Sequence, residues 1–141
     1  MKKRILIVDD HPVVRQGLTA LIDNEADLTV CAEAAASQAG LDAIAAYGPD
    51  LVIADVSVKG GAGLELVHEI RMRHKSLPVL VLSMHEAAIF AERAFDAGAC
   101  AYVTKLELGE ALLIAIRRVL GGEKYASPMV RARIARREPP D

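Results

Sequence analysis

Three carboxylates, a hydroxyl and an amine stand just after short apolar runs in this sequence. They are Asp9 and Asp10 after Ile5–Val8, Asp55 after Leu51–Ala54, Ser83 after Val79–Leu82, and Lys105 shortly after Ala101–Val103. Three acids gathered on one rim raise one another's pKa unless a cation sits among them. Mg2+ suits such a cup, because it takes one or two carboxylates, keeps several waters and leaves room for a phosphate oxygen. A phosphate held there would still carry charge, which the Lys105 ammonium and the Ser83 hydroxyl are of the right type to neutralise. Singly, each residue has an ordinary explanation as a helix cap, a loop acid or a surface lysine. Their common place at the ends of successive apolar runs carries the signal.

Those side chains meet only if the runs are neighbouring parallel strands. The periodicity predicts strands at Arg4–Val8, Leu28–Ala32, Leu51–Ala54, Val79–Leu82 and Ala101–Val103. Between and after them, apolar residues recur every three or four positions. This predicts helices at about Val13–Asn24, Ser37–Tyr47, Gly63–His74, Ala87–Ala97 and Leu108–Leu120. Gly48-Pro49 and Gly98 close the second and fourth helices, and Pro78 opens a strand where no ladder donor is needed. Alternating strands and helices at this spacing imply right-handed crossovers and a parallel sheet covered on both faces. The expected fold is α/β, a doubly wound (βα)5 three-layer sandwich, whose ligand crevice lies beyond the carboxyl ends of the strands.

The chain of 141 residues suits one domain. At 52% hydrophobic and 26% charged it is too apolar for disorder, and its apolar runs fall far short of the ~20 residues of a membrane span. Met1-Lys2-Lys3-Arg4 resembles the start of a signal peptide, but Asp9-Asp10 interrupts the apolar stretch. A cytoplasmic protein without a membrane partner is expected. Seventeen Lys and Arg against nineteen Asp and Glu leave a net charge of −2, so no global basic field draws the chain to nucleic acid. The basic concentration at Arg131, Arg133, Arg136 and Arg137 reads as a solvated tail.

Four motifs give these residues a family context. They are Ile5-Leu6-Ile7-Val8-Asp9-Asp10-His11-Pro12, Pro49-Asp50-Leu51-Val52-Ile53-Ala54-Asp55, Val79-Leu80-Val81-Leu82-Ser83, and Gly98-Ala99-Cys100-Ala101-Tyr102-Val103-Thr104-Lys105. In order and spacing they resemble the receiver domain of two-component response regulators, across about Lys3 to Gly122, and the receiver domain is expected to span residues 1–122. The resemblance implies a flavodoxin-like sheet order 2-1-3-4-5. It implies that Asp55 is the phosphoacceptor, charged by a sensor histidine kinase. It assigns Mg2+, with Mn2+ able to substitute, to Asp9, Asp10, Asp55 and the backbone carbonyl of Ser57. Lys105 would pair with the acyl phosphate, and Ser83 and Tyr102 would form the switch pair. The face of fourth helix, fifth strand and fifth helix would then shift. Such a domain catalyses only its own phosphorylation and dephosphorylation, and a phosphorylation-dependent homodimer is a further implication.

The run from Asp9 to Leu18 and the ending Gly122-Glu123-Lys124-Tyr125-Ala126-Ser127-Pro128 are similar to the NarL/FixJ (LuxR-type) group. Members usually continue into a helix-turn-helix. The expectation is a receiver whose residues 123–141 are a basic tail or the start of a linker to a DNA-binding output domain, DNA being bound only through that domain. The alternative is a stand-alone or phosphorylation-independent receiver acting as a protein interaction module.

This sequence departs from the family pattern at Val58-Lys59-Gly60-Gly61-Ala62-Gly63, a looser and more cationic loop, and at Leu106, where many receivers have a cis proline. Ser57 and His85 occupy places that in the family tune the access of water to the phosphate. Ser57 also argues against a haloacid dehalogenase-type phosphatase, which needs a second acid at that position to protonate the leaving group. In the expected strand order, Cys31 and Cys100 lie about four strand spacings, or ~19 Å, apart. That excludes a disulfide within the chain.

Overall fold

Strands covered on both faces need apolar side chains at nearly every position, and the five apolar runs do form strands. The computed structural model describes residues 1–56, 62–84 and 88–136. It contains β1 (Lys3–Val8), α1 (Pro12–Asp23), β2 (Leu28–Ala34), α2 (Ser37–Tyr47), β3 (Leu51–Asp55), α3 (Ala62–Arg73), β4 (Val79–Ser83), α4 (Ala88–Ala97) and β5 (Ala101–Thr104). A 3-10 turn (Lys105–Glu107), α5 (Glu110–Leu120), β6 (Tyr125–Ala126) and α6 (Pro128–Arg136) follow. The strands are parallel in the order β2-β1-β3-β4-β5-β6, which contains the expected order 2-1-3-4-5. No helix among the described residues is long and apolar enough to cross a membrane.

The alternation of side chains along each strand divides the core into two layers. Ile5, Ile7, Ile53, Leu80, Leu82 and Val103 pack against Leu18 and Ile22 of α1 and Leu112 and Ile116 of α5. On the other face Leu6, Val52, Ala54, Val81 and Tyr102 meet Ile44 of α2, Val67 and Ile70 of α3, and Ala91 of α4. Each large aliphatic side chain buried in this way stabilises the fold by about 1.5–3 kcal/mol. Register then fixes the rim: Val8 stands opposite Ala54, Asp55 opposite Leu82 and Ser83 opposite Thr104. The residues that follow Val8 and the last residues of β3 and β4 are thereby carried to one edge of the sheet.

Three expectations are corrected. The fold does not stop at Gly122: β6 pairs with β5 and α6 packs on α4 and β5. Within the segment expected as a basic tail or the start of a linker, Tyr125, Ser127 and Val130 are buried, while Arg131, Arg133 and Arg136 are exposed. β5 is consequently an inner strand, so Cys100 does not stand beside a sheet edge; both cysteines are free thiols. The fifth helix begins at Glu110 rather than Leu108, because Gly109 at φ +98 breaks the chain direction and leaves Leu108 exposed. The peptide bond before Leu106 is trans, as are the others among the described residues. Ser57, the Val58-Lys59-Gly60-Gly61 stretch, His85 and residues 137–141 lie outside the described residues.

Gly63 has a packing role that loop freedom alone does not describe. A Cβ at this position would stand 2.5 Å from the Cα of Val56, the residue directly after Asp55. The first turn of α3 can approach the end of β3 only because this side chain is missing. Gly63→Ala should therefore lower stability by about 1–3 kcal/mol, read as a lower urea midpoint with unchanged slope; an unaltered midpoint would refute the close approach.

Candidate functional site

The carboxyl rim of the sheet brings together Asp9, Asp10, Asp55, Ser83 and Lys105, the five residues singled out by the spacing. Asp9 leaves β1 with its backbone N–H donating to the Ala34 carbonyl at 2.9 Å, and Val56 N–H donates to the Leu82 carbonyl at 3.0 Å. These ladder bonds hold the ends of β1 and β3 in place. Asp9 and Asp55 are only 2% and 4% exposed, whereas Asp10 faces solvent. Two carboxylates buried side by side need a cation, and Lys105 supplies one. Its Nζ donates to Asp55 Oδ2 at 2.8 Å and to Asp9 Oδ2 at 3.3 Å from a side chain that is itself 9% exposed.

A second nitrogen stands in the acid cluster. His11 Nδ1 lies 2.9 Å from Asp9 Oδ1, 3.0 Å from Asp10 Oδ1 and 3.5 Å from Asp55 Oδ2. Asp9 Oδ1 also accepts the His11 backbone N–H at 2.8 Å, so the turn into α1 presses the imidazole toward the acids. Sequence reasoning quoted His11 within a motif but gave it no role. A signal was available: it stands between the acid pair and Pro12, at the position preceding the first helical turn. The hydrogen bond to Asp9, with the charge of Asp10 adding to it, raises the His11 pKa above its usual 6.5.

Asp9, Asp10, His11 and Asp55 present ligand atoms within 4.8 Å of one another. Three carboxylates in that space fit a hard divalent cation, and oxygen donors are what Mg2+ selects. The adjoining cleft of about 320 Å³ is lined by Asp9, Asp10, Asp55, Gly63 and Leu66 among others. A larger cleft of about 530 Å³ opens around Lys3, Pro78, Cys100 and Lys124, and holds none of the rim acids.

Behind the rim, Ser83 and Tyr102 are both buried. Tyr102 stands opposite Val81, two residues before Ser83 on β4, so the two side chains face the same layer of the sheet. Burial pushes the phenol pKa upward.

A parallel doubly wound sheet with buried acids and Lys105 at its carboxyl rim defines an α/β module built to manage concentrated negative charge. The chain belongs to the response regulator receiver family, whose model, described as response regulator receiver domain, matches residues 5–117. It is 33% identical to the response regulator GacA of Pseudomonas viridiflava over 132 residues, covering 94% of this chain and 62% of that one. Against the transcriptional activator protein ExaE of Pseudomonas putida it is 34% identical over 131 residues, with coverages of 93% and 61%. The chain therefore spans about three fifths of the length of these curated relatives. The crystal structure of a two-component response regulator of the LuxR family from Aurantimonas sp. SI85-9A1 aligns with a TM-score of 0.90 and 36% identity over 96% of both chains.

The His11 contact makes a prediction with a definite sign. A pKa raised by folding means that His11 contributes stability in full below its unfolded value, and loses it as pH rises through the higher folded value. In metal-free protein the His11 imidazole should titrate, by NMR, above the ordinary 6.5. Adding Mg2+ should lower that midpoint by neutralising the acids. A midpoint at or below the ordinary value without metal would contradict the arrangement.

Proposed function

We propose that this chain is the phosphoacceptor part of a response regulator that controls transcription, with Asp55 as the residue phosphorylated by a sensor histidine kinase. The observation that carries the reading is the pairing of Asp55 with Lys105 at 2.8 Å beside Asp9 and Asp10. An ionised carboxylate needs no general base to attack phosphorus. A carboxylate oxygen of Asp55 approaches in line, the new O–P bond forms, and the P–N bond of the phosphohistidine breaks with its electron pair leaving on the imidazole. The protein mainly positions the groups and screens charge.

Each neighbour has a part in that reading. Lys105, already within hydrogen-bond reach of Asp55, follows the negative charge onto the phosphoryl oxygens. Asp10, Asp9 and Asp55 would hold Mg2+, with Mn2+ as a substitute and the backbone carbonyl of Ser57 as the further ligand that the resemblance implies; the ion would supply positive charge to screen the phosphoryl oxygens. The Ser83 hydroxyl turns to the phosphoryl group, and the Tyr102 ring moves in response. The chain turns over only its own phosphate, so it is a signalling domain rather than an enzyme acting on free substrates. A histidine kinase phosphorylates inside the cell, which places this chain in the cytoplasm.

Transcription as the output is supported by the relatives' names, which include a transcriptional activator and a LuxR-family regulator. In this reading DNA is bound by an output domain outside the present sequence, and phosphorylation favours a homodimer.

Incubation with acetyl phosphate and Mg2+ should add about 80 Da, the mass of one phosphoryl group, to the intact protein. Omission of Mg2+ and the Asp55→Asn substitution should each abolish the gain. A gain that survives Asp55→Asn would assign the phosphate elsewhere.

A further inference from the structure

The segment after Gly122 is attached to the site at two points. One is Glu107, which closes the 3-10 turn that begins at Lys105. Its carboxylate accepts three hydrogen bonds: from Thr104 Oγ1 at 3.0 Å, from Ser127 Oγ at 2.6 Å and from the Met129 backbone N–H at 3.1 Å. Ser127 and Met129 flank the start of α6, where Arg131 N–H donates to the Ser127 carbonyl at 2.9 Å. Glu107 therefore satisfies N-terminal donors of α6 from outside the helix and sets a negative charge at the positive end of its dipole. The second attachment is to β5 itself. The Tyr102 carbonyl accepts the Ser127 N–H at 2.9 Å, and Thr104 N–H donates to Ser127 Oγ at 3.3 Å.

α6 also packs on α4 and β5. Val130 is its buried residue, and Arg131 lies 5.3 Å from the Tyr125 ring centroid, which Arg118 of α5 approaches at 5.7 Å. A helix with few buried apolar contacts belongs to the low-stability end of a structure. Its N-terminus is thus fixed by bonds made to a turn that starts at the lysine of the site.

We propose that Glu107 is a positioning residue that couples Asp55 to the docking of β6 and α6, so that phosphorylation of Asp55 loosens the segment. The inference rests on the phosphoacceptor reading above. With Asp55 unmodified, Lys105 Nζ is drawn down between Asp55 and Asp9. A phosphoryl group on Asp55 places its anionic oxygens farther out from the strand end, and the lysine follows them. Glu107 is two residues along the same short turn and moves with it. Hydrogen bonds weaken steeply once distance and angle leave their narrow range, so the bonds to Ser127 and Met129 weaken together. Tyr102, beside β4 in the register and bonded to Ser127 through its carbonyl, transmits in the same direction.

The test is hydrogen exchange of residues 128–136 in the full chain, with Mg2+ alone and with Mg2+ plus beryllofluoride as a phosphoryl mimic, whose binding is followed by fluorine NMR. Exchange should rise about fivefold or more on binding, the lower end of coupling between sites. Glu107→Ala should exchange fast in both states, and Glu107→Gln, which keeps an acceptor oxygen, should recover part of the difference. Val130→Ala loosens α6 without touching Glu107 and keeps the test open if Glu107→Ala does not fold. By reciprocity it should bind beryllofluoride more tightly than the wild type, and equal or weaker binding overturns the coupling. Beryllofluoride bound with unchanged exchange overturns this inference and leaves the phosphoacceptor reading standing. No bound beryllofluoride at all overturns both.

Discussion

Two buried carboxylates at the ends of adjacent strands are the constraint on which the rest of this structure depends. Asp9 and Asp55 can remain charged at 2% and 4% exposure only if cations face them. The protein answers with Lys105, delivered from the far side of β4 by the parallel register, and with the His11 imidazole from the turn into α1. Both nitrogens can be displaced or shared when a divalent ion or a phosphoryl group enters. The site is therefore a charge balance held by a rigid sheet, and any reagent that alters the balance must move one of the cations.

The sheet is rigid for the reason that makes its strands legible. Apolar layers cover both faces, so the strand ends cannot slide without moving the core, and the rim residues inherit that precision. What can move is the rim itself. The turn carrying Lys105 and Glu107 is three residues long, and it holds the N-terminus of α6. β6 and α6 lie against β5, so a change at the lysine is felt first by the chain's own C-terminal segment.

Strands β1 to β5 and the rim acids were visible in the sequence because continuous apolar runs, most of them ending in Asp, Ser or Thr-Lys, are hard to read otherwise. The match to residues 5–117 of the family model agrees with that reading. β6 was not legible, since Tyr125-Ala126 is too short for any periodicity and pairs through the Tyr125 and Ser127 N–H groups. α6 was hidden by its arginines: one buried valine among exposed basic side chains gives no amphipathic stripe. Glu107 looked like an ordinary turn acid, because its partners Ser127 and Met129 lie 20 and 22 residues away in the chain. His11 could have been weighed from its place beside the acid pair, yet its approach to Asp55 depends on the tertiary fold.

The charge balance is tested most directly by thermal melts of the wild type and Asp10→Asn, each with and without Mg2+. At a pH high enough for His11 to be neutral, so that its contact with Asp10 carries no charge pairing, the exposed Asp10 adds repulsion to the two buried acids in the metal-free protein, and removing its charge should leave stability equal or higher. The wild type should gain stability from Mg2+ through mass action, and the variant should gain much less. Equal gains in the two proteins, or a variant that is less stable without metal, would contradict the account that the rim acids are held in mutual repulsion for a cation to relieve.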